Sequence, residues 1–308
     1  MTLQQLEYVI SLYRFKHFAK AAEHCKVSQP TLSSMIHKLE EEFGLKIFDR
    51  NAQPIAPTPT GKLIIEQAWR VLKSAEKIKD IIEEERSSLD GTFHIGILPT
   101  ISPYLIPRFF PQMMQKYPRL DLRVTEMKTA EIRRALLHGD IDAGIMAQYE
   151  NLEKFEVTHL FYEQFFGYVS KNDALFEKEL IRTSDLKGEF LWLLDEGHCF
   201  REQLVKFCQL KGASKSQHAY TLGSIETFMR IVENGKGVTF IPELAVYQLN
   251  DQQKQHVRPF AIPIPSRDII FMTGKNFIRH HLLNLIKQEI QGAVPKNMLT
   301  RQQTQHIV

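Results

Sequence analysis

Cys199 and Cys208 stand nine residues apart in the stretch GHCFREQLVKFC, with His198 before the first and Arg201 two positions after it. A thiol attacks only as the thiolate, so a reactive cysteine needs a cation or a helix N-terminus beside it. Arg201 and the start of a helix would supply both to Cys199, which predicts a thiol pKa well below the ~8.5 of free cysteine. Asp195 and Glu196 push the other way unless they point to solvent. Phe200, Leu204 and Phe207 recur at helical spacing and predict an amphipathic helix opening near Gly197. Nine helical residues give about 13.5 Å of rise and roughly 180° of turn. Sulfurs so placed lie beyond the ~7 Å Cα separation a disulfide tolerates. If the two thiols join, the helix comes apart, and a pair that bonds only by remodelling its own segment has the logic of a redox switch. On spacing alone, Cys208 reads more readily as a small buried hydrophobe.

The rest of the chain bounds where such chemistry could sit. Its 308 residues suffice for two or more domains with real cores. A net charge of +3 is too mild to announce nucleic acid by itself. No apolar run reaches the ~18 residues of a membrane span, and the first residues, with Glu7 early, do not read as a signal peptide. Three cysteines in a chain of this length are no secreted disulfide framework. The expectation is a cytoplasmic protein, without metal, cofactor or membrane partner, in which a transient disulfide would carry information.

An α/β chain of three regions is expected. Residues 1–60 read as a winged helix-turn-helix. Phe18, Ala21, Ala22 and Cys25 mark one face of a short helix, with Cys25 read as core. Ser28 then caps a second helix with Pro30 in its first turn, running through Leu32, Ile36, Leu39 and Phe43 to Gly44. Residues 61–90 read as a linker helix. Ile64, Ala68, Val71, Ala75, Ile78 and Ile82 alternate by four and three, a heptad seam suited to a dimer, or else to packing on its own domain. Residues 91–308 alternate strand signals (FHIGI, DLRVTEM, IDAGIMA, FLWLL) with helices near 102–117, 129–138 and 225–234. That alternation predicts a largely parallel sheet. The length favours two lobes, lobe I at 91–162 and 268–308 and lobe II at 163–267, with a cleft between them.

The segment AAEHCKVSQPTLSSMIHKLEEEFGLKIFDR resembles the LysR-type transcriptional regulators, and the likeness runs the whole length of the chain. Within that family, GHCFREQLVKFC, IETFMRIVENGKGVTFIPELAV and GILPTISPYLIP resemble the members that sense hydrogen peroxide. The resemblance implies a two-lobed, periplasmic-binding-protein-like regulatory domain. It also implies a homodimer assembling to a homotetramer that binds a double-stranded DNA operator and activates antioxidant genes. Cys199 would then be the peroxide-reactive cysteine, Cys208 its disulfide partner and a cellular thiol the reductant. Thr100, Thr129 and His198 match polar residues around the peroxide, and Arg201 and Arg267 match cations near the sulfur. Threonine hydroxyls, which donate and accept, suit passing a proton to the departing oxygen, and a second thiol suits capture of a sulfenic acid. The polar stretch KGASKSQ after Cys208 gives a refolding segment slack.

For DNA, Gln29, Pro30, Thr31, Ser33 and Ser34 open the recognition helix, where side chains reach base edges. Residues 1–90 carry 13 Lys plus Arg against 13 Asp plus Glu, so phosphate attraction must be local. Lys16, Lys20, His37, Lys38 and Arg50 are the candidates, with the acidic run Glu40–Glu42 facing away. Where peroxide-sensing members carry Gly-Gln and Arg, this chain has Ser34, Met35 and His37. Met35 cannot pair with adenine as Gln does, which leaves the operator preference open. Two other readings fit parts of the chain: a LysR-type regulator bound by a small organic effector with incidental cysteines, and a thiol peroxidase. Retained switching in Cys199→Ser would favour the first, and DNA-independent turnover the second.

Overall fold

Thr2 starts the chain's first helix, its hydroxyl accepting the Gln5 N–H. The computed structural model describes every residue except 87–88, 150–151, 187–190, 195–198 and 209–223. Asp195, Glu196, His198 and the KGASKSQ stretch lie outside the described residues. The chain divides into two compact units, Met1–Arg86 and Ser87–Val308.

In the first unit, α1 (Leu3–Phe15), α2 (Phe18–His24) and α3 (Gln29–Phe43) enclose a core of Leu6, Val9, Leu12, Ala21, Ala22, Leu32, Ile36 and Leu39. The sharp turn between α2 and α3 passes through Lys26 in the left-handed region (φ 54°). Ser28 Oγ accepts the Thr31 N–H at 3.3 Å, and α3 stops at Gly44, whose φ of 65° suits glycine. Strands β1 (Phe48–Asp49) and β2 (Ala56–Pro57) pair antiparallel as the wing. Two expectations need correction here. Glu40 does not face away: its side chain is buried, and its carboxylate accepts the N–H groups of Ile47 (2.8 Å) and Phe48 (3.2 Å) and pairs with Arg50 (3.2 Å). A carboxylate so satisfied tolerates burial and ties the wing to the recognition helix. The seam on α4 (Pro59–Glu85) is also divided. Ala68 is buried in the unit's own core with Ile64 and Val71 against it, whereas Ile78 and Ile82 are exposed, as is Ile81 between them.

The second unit contains β3 (Gly91–Ile97), α5 (Ser102–Lys116), β4 (Leu120–Glu126), α6 (Thr129–His138), β5 (Ala143–Ala147) and β6 (Phe155–Val169). There follow α7 (Cys199–Phe207), α8 (Ile225–Asn234), β7 (Val238–Pro242), α9 (Glu243–Val246), α10 (Asp251–Lys254), β8 (Val257–Pro259), β9 (Ile264–Gly274), α11 (His280–Ala293) and β10 (Gln305–Ile307). The sheet order is β4-β3-β5-β9-β6-β7, with β10 on β9 and β8 on β6. It is mixed, not largely parallel. Strand β3 runs parallel to β4 and β5, but β9 is antiparallel to β5 and β6, and β6 to β7. The reason is topological: the chain leaves lobe I along β6 and returns along β9, so the two connecting strands run in opposite directions. Residues Phe155–Gln164 of β6 pair with β9 in lobe I, and Phe165–Val169 pair with β7 in lobe II. This is the two-lobed, periplasmic-binding-protein-like architecture. The FLWLL segment is not a strand in its described part. Leu191 makes one isolated bridge to Val238, and Leu194 gives its carbonyl to Arg201.

Candidate functional site

The register that joins the lobes sets Glu163 of β6 directly opposite Arg267 of β9. Their side chains are 1% and 0% exposed, and this burial makes the pair the electrostatic centre of the unit. Arg267 Nε donates to Glu163 Oε2 at 2.9 Å, and Nη2 lies 2.7 Å from the same oxygen. Nη2 also donates to the Thr100 carbonyl and Nη1 to Thr100 Oγ1, both at 3.0 Å. A guanidinium has five N–H groups, so one Nη1 proton remains without an acceptor among the described residues. Glu163 Oε1 accepts the Leu244 N–H at 3.1 Å, which brings α9 into the same network. The guanidinium lies over the rings of Phe200 (5.1 Å) and Phe165 (5.8 Å), themselves edge to face at 4.9 Å.

Phe200 carries this network to α7, because it follows Cys199, the helix's first residue. The Cys199 thiol is buried and free, and burial pushes its pKa up. The Arg267 cation, the Thr129 hydroxyl and the Phe200 N–H act in the opposite direction, while Glu202 adds to the rise. Burial therefore works against the low thiol pKa expected from the sequence. Desolvation outweighs the helix N-terminus, and the nearby cation is already neutralised by Glu163. Arg201 Nη1 donates to the Leu194 carbonyl at 2.9 Å, which braces the chain ahead of α7. Thr129 opens α6, close enough to favour the thiolate yet with its buried hydroxyl unsatisfied. Thr100 uses a lone pair on Arg267, which leaves its own proton to donate. Arg267 and Thr129 thus act on the sulfur, Thr100 is bonded to Arg267, and His198 lies outside the described residues.

Cys208 lies just past the other end of α7, its N–H on the Leu204 carbonyl at 2.9 Å. It is buried and free, and burial pushes its pKa up to about 12. One ordered helix therefore separates the two thiols, as their spacing requires. A pH dependence follows. Both thiols hold their protons more firmly folded than unfolded, so the stability they contribute is complete below the ~8.5 of a free thiol and is lost as pH climbs through their raised values. Urea unfolding of the reduced protein between pH 8 and 10 should show stability falling with pH. The fall should be smaller in Cys199→Ser and smaller again in the double serine variant, and an equal slope in all three contradicts the buried protonated thiols.

On the first unit, Gln29, Pro30, Thr31, Ser34 and Lys38 are exposed on α3, with Ser33 and His37 half-buried. His37 Nδ1 lies 3.3 Å from Glu41. Lys16 and Lys20 are exposed. Arg50, expected at phosphate, is committed to Glu40 and lies 5.5 Å over the Phe18 ring, so it braces the wing.

Two family models match this chain. One, described as "Bacterial regulatory helix-turn-helix protein, lysR family", covers residues 3–62, and the other, "LysR substrate binding domain", covers 86–293. The chain belongs to the LysR family. This LysR-family regulator is 32% identical over 296 residues to the "Hydrogen peroxide-inducible genes activator" of Pectobacterium carotovorum, spanning 95% of this chain and 98% of that one. Full-length OxyR C199D from Pseudomonas aeruginosa superposes with a TM-score of 0.77 at 32% identity, covering 96% and 99% of the two chains. OxyR from Porphyromonas gingivalis is 46% identical with a TM-score of 0.66 over 70% of this chain and 99% of its own. One residue of the regulator's site escaped sequence reasoning: Glu163 gives no local sign of its partner.

Proposed function

We propose that this protein is a peroxide-sensing, DNA-binding transcriptional regulator acting in the cytoplasm on antioxidant genes. The observation that carries the reading is the Cys199 thiol, buried beside Arg267 and the Thr129 hydroxyl, with a second free thiol beyond the other end of the same helix. The Cys199 sulfur attacks one oxygen of hydrogen peroxide, the O–O bond breaks, and the other oxygen leaves as water with the proton the thiol gave up. Cys208 then attacks the sulfenic sulfur, expelling a second water and forming the disulfide. Two equivalents of a cellular thiol reverse the step. Forming that bond dismantles α7, and the lobes' shared packing around Phe200 and Arg267 passes the change to the rest of the assembly. The exposed face of α3, from Gln29 to Lys38, reads the operator. Exposed Ile78, Ile81 and Ile82 on α4 pair with those of a second copy, and contacts between regulatory units complete a tetramer. Footprinting on an operator tests the reading. Wild type should give different footprints with and without peroxide, and Cys208→Ser the reduced footprint in both. Identical footprints in oxidised and reduced wild type contradict it.

A further inference from the structure

Tyr149 stands two residues beyond β5, and its hydroxyl is buried without a hydrogen-bond partner among the described residues. Leaving a buried phenol unpartnered is costly, and a small ligand able to donate and accept hydrogen bonds would satisfy it. Its place is fixed from both sides. The Gln148 N–H donates to the Asp268 carbonyl at 2.8 Å, which ties this turn to the residue after Arg267. The Arg133 guanidinium lies 5.4 Å over the ring. Arg133 is one turn along α6 from Thr129, so the helix that supplies one unsatisfied hydroxyl also holds the ring that bears the other. The Thr129 hydroxyl favours the Cys199 thiolate through a hydrogen bond, and Cys199 lies near enough to Tyr149 to raise its pKa.

We propose that Tyr149 is a catalytic residue of the peroxide reaction, its hydroxyl donating a hydrogen bond to the oxygen that departs from Cys199. The proposal rests on the peroxide-sensing reading. Two orphaned hydroxyls and a spare Arg267 N–H around one thiol match a ligand with two oxygens, each able to donate and accept. As the sulfur bonds the near oxygen and the O–O bond breaks, negative charge grows on the far oxygen. The thiol's released proton ends there as water, and the phenol, unchanged, stabilises the charge meanwhile. Burial, with the nearby Cys199, raises the Tyr149 pKa, which keeps the group a donor at neutral pH. Arg133 acts the other way and does not reverse this.

The test uses the full chain carrying Cys208→Ser, so that oxidation stops at the sulfenic acid. Rates of sulfenic acid formation with hydrogen peroxide and of alkylation by iodoacetamide are measured with and without Tyr149→Phe. Alkylation needs the same thiolate but no departing oxygen held in the site. The phenylalanine variant should lose about tenfold to a hundredfold in the peroxide rate, as loss of one charge-stabilising donor does, and keep its alkylation rate within about twofold. An unchanged peroxide rate overturns the proposal. An equal fall in both rates also does, because Tyr149 then governs access or ionisation of the thiol. If the Cys208→Ser parent reacts with peroxide no faster than free cysteine, the peroxide reading fails as well and the proposal falls with it.

Discussion

Replacing Arg267 with methionine should remove about 3–5 kcal/mol from the stability of the regulatory unit, the cost of stranding one member of a buried ion pair. Glu163 would keep its Leu244 N–H bond but lose its cation in a site with 1% exposure. The loss belongs to the stranded charge more than to the pair itself. Accordingly, Glu163→Leu combined with Arg267→Met should recover most of it, since paired apolar replacements of buried ion pairs are often near neutral. Urea midpoints at constant m-value would show both effects. A single-variant loss below ~1 kcal/mol would mean the pair is solvated. The chemistry should separate from the stability. Even the stabilised double variant should react slowly with peroxide, because the cation that favours the Cys199 thiolate is gone.

Oxidation should open α7. The reduced helix buries Phe200 (3% exposed) and Leu204 (0%), each worth roughly 1.5–3 kcal/mol when buried. Pulling the chain off its helical path to join Cys199 and Cys208 therefore costs about 3–6 kcal/mol of packing before any new contacts form. At ~1.4 kcal/mol per 30 mV, a cost of that size places the couple roughly 60–130 mV above the range of structural disulfides. The switch is thus readily reset by cellular thiols. Hydrogen exchange should report the same event as a loss of protection of about a hundredfold or more in the peptide spanning residues 199–208. The peptides of α1 to α3 should not change. Undiminished protection in oxidised α7 would mean that the bond forms elsewhere or not at all.

The sequence announced these elements unevenly, and the reasons are physical. Helical periodicity at Phe200, Leu204 and Phe207 located α7 because one of its faces is buried. The Ser28 cap and Gly44 stop located α3 because capping chemistry is local. What depended on distant partners stayed hidden. Glu40 looks like part of a solvated acidic run, and only the wing's N–H groups turn it inward. Arg201 is nearer to Cys199 in sequence than Arg267, yet strand register brings the distant arginine to the sulfur and sends the near one to the Leu194 carbonyl. The heptad pattern of α4 could not distinguish a dimer seam from intramolecular packing, and the helix packs its first half into its own unit and leaves its second half exposed. Tyr149 follows a buried strand as many tyrosines do, and its significance lies in a hydroxyl that no neighbour satisfies.

On the peroxide-sensing reading, hydrogen peroxide joins Cys199 to Cys208. Wild type treated with one equivalent of hydrogen peroxide, its remaining thiols blocked, and then digested and weighed, tests it directly. A single linked pair of peptides containing Cys199 and Cys208 is expected, with Cys25 still blockable. Cys208 recovered as a free thiol, beside Cys199 that is unmodified or carries only its own oxidised forms, would contradict it.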